Sequence, residues 1–154
     1  MVRKVDWPPL LAPGRHCMSL YELKALCVDG FEGPSLLHRE RMFFGLERMV
    51  QEILSTKLPC HLRIDGSYLT KKPDPGDIDV VVVFDFDVSE ALTEEQRMII
   101  DVINGDHDYF SLDSSAWVNY NRDHKLFGGG LSADSASDGF GVEHGDFYLK
   151  GFAV

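Results

Sequence analysis

The sequence predicts an α/β (α+β) fold in which helices flank a small mixed β-sheet. Amphipathic helical segments alternate along the chain with short strand-like segments, which is the pattern of a layered α/β structure. One of these strands carries four consecutive valines, as expected for a strand covered on both faces. The 154 residues suffice for one domain with its own core. We therefore expect a single domain over residues 1–154.

The first elements follow from local signals. Residues 1–18 are rich in proline, which excludes a helix and predicts an extended N-terminal arm. Ser19 and Glu22 form a capping-box pattern, so a short helix should begin near Leu20. The clearest helix follows, with Ser35 as its predicted cap. Its apolar stripe consists of Phe43, Leu46, Met49, Val50, Ile53 and Leu54.

The second half of the chain reads as strands separated by one more helix. "HLRI" and "DIDVVVVFDF" are predicted strands, and Thr93 with Gln96 should cap a helix over "EEQRMIIDVI". "HDYFSLD" is a third strand candidate. Residues 128–146 are rich in Gly, Ser and Asp and predict a flexible loop, after which "FYLKGFAV" closes the chain as a strand-like segment.

The segment "GSYLTKKPDPGDID" combines two features that suit polyphosphate chemistry. Gly66 and Ser67 lie where a strand turns, and nine intervening residues separate them from Asp77 and Asp79. Glycine lets a phosphate approach the backbone, while a serine hydroxyl and exposed N–H groups, aided by a helix dipole, can hold its oxygens. Side chains alternate along a strand, so the two aspartates point to the same side and can bind Mg²⁺ or Mn²⁺.

This arrangement resembles the signature of the DNA polymerase beta-like nucleotidyltransferase superfamily. With the "LLAPGRH" arm, the chain is also similar to small, stand-alone bacterial nucleotidyltransferase-like proteins. The resemblance implies that Gly66 and Ser67 contact triphosphate and that Asp77 and Asp79 bind Mg²⁺. It also implies a third carboxylate on a neighbouring strand.

The third carboxylate has three candidates. Asp108 is the first choice, as a metal ligand and catalytic residue, because it can open the strand predicted over "HDYFSLD". Asp113 and Asp106 are the alternatives. Lys71 and Lys72 lie between the two halves of the motif and can neutralise a bound triphosphate, or simply be exposed.

Composition limits the classes of function. The formal net charge of −10 argues against binding of a long nucleic acid. The three cysteines have no disulfide or metal-site spacing, which favours reduced thiols in a cytoplasmic protein. No apolar run is long enough for a membrane helix, and the N-terminus has no secretory signal.

Two main functions therefore compete, and a structural protein whose acidic surface docks on a basic partner is a third possibility. In the first, the protein is an Mg²⁺-dependent enzyme that moves a nucleoside monophosphate from ATP or another nucleoside triphosphate to an acceptor. The candidate acceptors are a protein side chain, a small molecule and an RNA end. The resemblance favours a protein in a toxin–antitoxin or phage-defence pair. In the second, the fold has lost catalysis and binds nucleotide or a partner. A second subunit, in a homo-oligomer or with a partner protein, can complete such a site. Three carboxylates within about 5 Å of a common point would favour the enzyme.

Overall fold

The computed structural model describes residues 6–120, residue 123 and residues 151–153. Within these residues, helices flank one small mixed β-sheet, which confirms the predicted α/β class. The loop predicted over residues 128–146 lies outside the described residues. No helix of the described ranges combines the length and the apolar character that crossing a membrane requires.

The first helix begins where its capping box predicted. Helix α1 spans Leu20–Lys24, and the Ser19 hydroxyl accepts a hydrogen bond from the Glu22 amide while the Glu22 carboxylate accepts one from the Ser19 amide. The chain continues as one wider turn of π-helix, Ala25–Asp29. Leu23 of α1 is buried, so the helix is held by packing as well as by its cap.

Helix α2, Gly33–Thr56, is the longest element and differs from its prediction at the first turn. It begins before Ser35, with Glu32 at the N-cap position and proline in the first turn. The Ser35 hydroxyl instead donates to a distant carbonyl, which is described below. Most of the predicted apolar stripe faces the core, but Leu54 is exposed.

Among the described residues, the sheet contains five strands in the order β1-β5-β2-β3-β4. They are β1 (Gly14–His16), β2 (His61–Asp65), β3 (Asp79–Asp85), β4 (Asp113–Asn119) and β5 (Gly151–Ala153). β3 pairs antiparallel with β2 on one side and parallel with β4 on the other. This places the strand with the valine run in the interior of the sheet, as its composition predicted.

The parallel connection from β3 to β4 passes through three helices. They are α3 (Phe86–Glu90), α4 (Glu94–Gly105) and α5 (His107–Phe110), and α4 starts with the predicted capping box at Thr93. The strand predicted over "HDYFSLD" is wrong, because its first half forms α5 and β4 begins only at its end. Gly45 of α2 lies against the carbonyl oxygen of Phe110, where a Cβ atom would have no room. This close contact holds the end of α5 against α2.

The two faces of the sheet have different environments. Val80 and Val82 of β3 join the main core, which is formed with residues of α1, α2 and α4. Val81 and Val83 point to the opposite face, where they are buried beside Trp117 of β4. Because side chains alternate along a strand, Asp79 lies on the same face as Val81, away from the main core.

Candidate functional site

Three aspartates form a row across the end of three neighbouring strands. Asp65, the last residue of β2, is paired in register with Asp79, the first residue of β3, and Asp79 is paired with Asp113, the first residue of β4. Residues in register share a face of the sheet, so the three carboxylates point to the same side. Asp77 lies just before β3. The end of the sheet therefore concentrates negative charge.

Three of these side chains converge closely enough to share one cation. One carboxylate oxygen from each of Asp77, Asp79 and Asp113 lies within 4.8 Å of the other two. Asp77 and Asp113 are exposed, and Asp79 is half-buried between them. A set of carboxylate oxygens alone suits the hard cations Mg²⁺ and Mn²⁺ rather than zinc, which favours nitrogen and sulfur ligands. The donor set thus fits the predicted metal.

The electrostatics of Asp79 reflect this crowding. Its pKa is raised to about 7, first by burial and then by the charges of Asp77, Asp113 and Asp65. A side-chain hydrogen bond with Asp113 raises the pKa of Asp79 further. No cation among the described residues contributes to lowering this pKa. The row is therefore compensated by a bound proton, or by a metal ion in its place.

Gly66 has a different role from the one that the sequence suggested. Its φ angle is 82°, a conformation that favours glycine, and a Cβ atom on it would collide with Oδ2 of Asp79. Its N–H group donates to Oδ1 of Asp65, at 2.7 Å. The absent side chain thus admits the aspartate, and the amide is already occupied. This geometry favours a structural role for Gly66 over the predicted direct contact with phosphate.

Ser67 is the part of the Gly-Ser pair that remains available to a ligand. It lies in a short 3-10 helix, Gly66–Leu69, and its hydroxyl makes no hydrogen bond within the described part of the chain. Four residues of 3-10 helix have no substantial dipole, so the predicted contribution of a helix dipole is wrong. The hydroxyl itself can still donate to a phosphate oxygen.

Lys71 and Lys72 follow this helix on the loop toward Asp77. Lys71 is exposed and Lys72 is half-buried. Neither ammonium group forms an ion pair with an aspartate of the described residues. The structure therefore leaves their side chains available and assigns them no partner in the site.

The carboxylate that converges with Asp77 and Asp79 is that of Asp113, not that of Asp108. Asp108 lies in α5, is exposed, and does not belong to the group of converging carboxylates. The choice of Asp108 depended on a strand that the chain does not form there. Asp106 caps α5 instead, since its carboxylate accepts a hydrogen bond from the Tyr109 amide at 3.1 Å. The capped helix ends at Phe110, and β4 begins with Asp113.

Asp65 is the member of the row that sequence reasoning missed. It is buried and directly precedes the Gly-Ser pair. Its position at the end of β2 was a usable signal, because an antiparallel partner of β3 brings its last residue opposite the first residue of β3. Asp65 both orients Gly66 and adds charge beside Asp79.

Comparisons with known proteins identify a family without an assigned activity. No curated protein and no solved structure matches the chain significantly. A family model described as "Family of unknown function (DUF6932)" matches residues 4–130, which is most of the chain. The matched range contains the Gly-Ser pair and the whole carboxylate row. The chain therefore belongs to the DUF6932 family.

Proposed function

We propose that the protein is an Mg²⁺-dependent nucleotidyltransferase, which transfers a nucleoside monophosphate from a nucleoside triphosphate to an acceptor. The observation that carries the proposal is the convergence of Asp77, Asp79 and Asp113 within 4.8 Å. This separation meets the criterion of about 5 Å for shared metal binding. The adjacent Ser67 offers a phosphate-binding hydroxyl, as the superfamily resemblance implies.

The topology also supports a nucleotidyltransferase-like fold. The Gly-Ser pair follows β2, the two motif aspartates precede and begin the antiparallel strand β3, and Asp113 begins the neighbouring strand β4. This is the placement that the resemblance implies for a third carboxylate. The main core lies on the opposite face of the sheet, so the carboxylates lie outside it, with Asp77 and Asp113 exposed.

The roles of the residues follow from their positions. Asp77, Asp79 and Asp113 would hold Mg²⁺, which when bound neutralises phosphate charge and favours departure of pyrophosphate. Ser67 would donate to an oxygen of the triphosphate, with Lys71 or Lys72 balancing its charge. The acceptor hydroxyl forms a bond to the α-phosphorus, and the bond from that phosphorus to the β-phosphate bridge breaks. Asp113 is the carboxylate assigned to take the hydroxyl proton.

The acceptor is proposed to be a protein side chain in the cytoplasm. The net charge of −10 disfavours the approach of a long nucleic acid. The similarity to small stand-alone nucleotidyltransferase-like proteins directs the search to a toxin–antitoxin or phage-defence partner.

Calorimetric titration with ATP and GTP, each with and without Mg²⁺, tests the nucleotide site. We expect Mg²⁺-dependent binding that is lost in an Asp77→Ala/Asp79→Ala double variant. Binding that needs neither metal nor these aspartates would overturn the assignment. Transfer is then tested with α-labelled triphosphate and host cell extract, comparing the wild type with Asp113→Asn. A site that binds nucleotide but labels no acceptor would favour a binding module.

A further inference from the structure

A buried arginine connects helix α2 with the loop that joins the two halves of the site. Arg39 is 0% exposed. Its Nη1 donates to the carbonyl oxygens of Cys27 (3.0 Å) and Tyr68 (2.9 Å). Its Nη2 donates to those of Thr70 (2.7 Å) and Lys72 (2.6 Å). The guanidinium also lies over the ring of Phe31 and near that of Tyr68.

Two neighbouring side chains of α2 bind the same loop further along. The Ser35 hydroxyl donates to the carbonyl oxygen of Pro73 at 2.6 Å. His38 Nε2 donates to that of Pro75 at 2.7 Å. Positions 35, 38 and 39 have the i, i+3, i+4 spacing that places side chains on one face of a helix. We call Ser35, His38 and Arg39 the α2 clamp.

The clamp acts at both ends of the loop. At one end, Arg39 binds the carbonyl of Thr70, and the Thr70 amide and hydroxyl both donate to the carbonyl oxygen of Ser67. At the other end, His38 binds Pro75, two residues before Asp77. The clamp is therefore linked to the serine of the Gly-Ser pair through Thr70. It also holds the loop two residues before the first motif aspartate.

Burial of a guanidinium is a costly way to fill this space. A buried cation loses its hydration, a cost that apolar side chains of similar volume avoid. Burial lowers the pKa of Arg39 for this reason. The planar guanidinium of arginine binds several main-chain carbonyls in one fixed geometry, and an apolar side chain cannot. The contacts thus favour a role in fixing the loop over simple filling of the core.

We propose that the α2 clamp is a positioning device, which fixes the loop so that a triphosphate held at Ser67 meets a metal held by Asp77, Asp79 and Asp113. This inference rests on the proposed function. Its residues are positioning residues, since they act through the loop and touch neither ligand. It predicts that a loosened clamp weakens nucleotide binding more than metal binding, because only Asp77 of the three converging carboxylates lies on the loop, while Asp79 and Asp113 begin strands of the sheet.

The test compares two double variants and a control. Ser35→Ala/His38→Ala removes two contacts and leaves Arg39 in place, so the fold should survive. Ser35→Thr/His38→Gln restores a hydroxyl and an amide donor at the positions of the original donors. Ser55→Ala is the control, because the Ser55 hydroxyl of the same helix donates only to the nearby carbonyl of Glu52.

Mn²⁺ affinity is measured by electron paramagnetic resonance, alone and with ATP bearing a methylene bridge between its α- and β-phosphorus atoms. We expect the alanine variant to bind Mn²⁺ within about twofold of wild type and the nucleotide about tenfold more weakly. The Thr/Gln variant should recover most of the loss. Unchanged nucleotide affinity, or an equal loss of Mn²⁺ and nucleotide affinity, would overturn the inference while leaving the proposed function standing. A wild type that binds Mn²⁺ but no nucleotide would sink both.

Discussion

The carboxylate of Asp79 fills the space that a side chain on residue 66 would occupy. A Cβ atom on residue 66 would collide with Asp79 Oδ2, and residue 66 has a φ angle of 82°. The two halves of the sequence motif are therefore in direct contact through a glycine that makes room for an aspartate. Each half constrains the other before any ligand is bound.

Replacement of Gly66 by alanine should disturb both stability and metal binding. The added methyl group forces Asp79 to move, and alanine at residue 66 must adopt a φ angle that is unfavourable for it. We therefore expect the free energy of unfolding to fall by about 2 kcal/mol. Chemical denaturation followed by circular dichroism measures the change. Gly76→Ala is the matched control, since its Cβ would meet nothing within 4 Å. Equal effects of the two substitutions would contradict the contact.

The identity of the third carboxylate can be tested by a pair of isosteric substitutions. Asp113→Asn removes a charged ligand from the converging group and should weaken Mn²⁺ binding at least about tenfold. Asp108→Asn changes the net charge equally but lies outside that group, so its affinity should stay within about twofold. Calorimetric titration with Mn²⁺ at constant ionic strength compares them. The reverse ranking would restore Asp108.

The stability of the metal-free protein should depend on pH through Asp79. The pKa of Asp79 is about 7 in the folded chain, against 3.8 for an unperturbed aspartate, so the folded protein retains the proton over that interval. The contribution of this proton to the free energy of unfolding is therefore fully present below about pH 4, and it is lost as the pH rises through about 7. We expect a loss on the order of 2 kcal/mol, which allows for solvent screening.

Thermal unfolding in a chelator, at intervals between pH 5.5 and 8.5, measures this effect. Asp79→Asn should flatten the decline, because asparagine has no proton to lose. Saturating Mg²⁺ should stabilise the wild type most at the alkaline end, where the carboxylates are ionised. A wild type whose stability is flat or rises across this range would contradict the assigned pKa.

Arg39→Lys should be severely destabilising although it conserves the charge. One ammonium group cannot reach the four carbonyl oxygens that the guanidinium binds, so buried acceptors lose their donors. We expect a loss of about 3 kcal/mol, measured by urea unfolding. Arg41→Lys, on the exposed side of the same helix, should cost less than about 0.5 kcal/mol.

Local sequence signals predicted the elements well where a single segment contained the whole signal. The capping boxes at Ser19 and Thr93 and the valine run of β3 were read correctly for this reason. Ser35 was assigned as a cap from the same kind of signal. Its hydroxyl binds Pro73 instead, a partner far away in sequence that local patterns do not reveal.

The converging group of Asp77, Asp79 and Asp113 could be predicted only in part from local sequence signals. Asp77 and Asp79 are recognised by spacing along one segment, whereas Asp113 joins them only through the parallel register of β3 and β4. The residues before Asp113 were predicted as a strand, but His107–Phe110 form α5. Asp106, three residues before Tyr109, was a helix-capping signal that could have corrected this prediction.

The parallel pairing of β3 with β4 has a consequence for the order of folding. The antiparallel β2–β3 pair needs only the loop between them, but Asp113 arrives after the chain has passed through α3, α4 and α5. Contacts between segments distant in sequence form slowly, because a longer stretch of chain must first be ordered. We therefore expect tight Mn²⁺ uptake to appear only in the last kinetic phase of refolding.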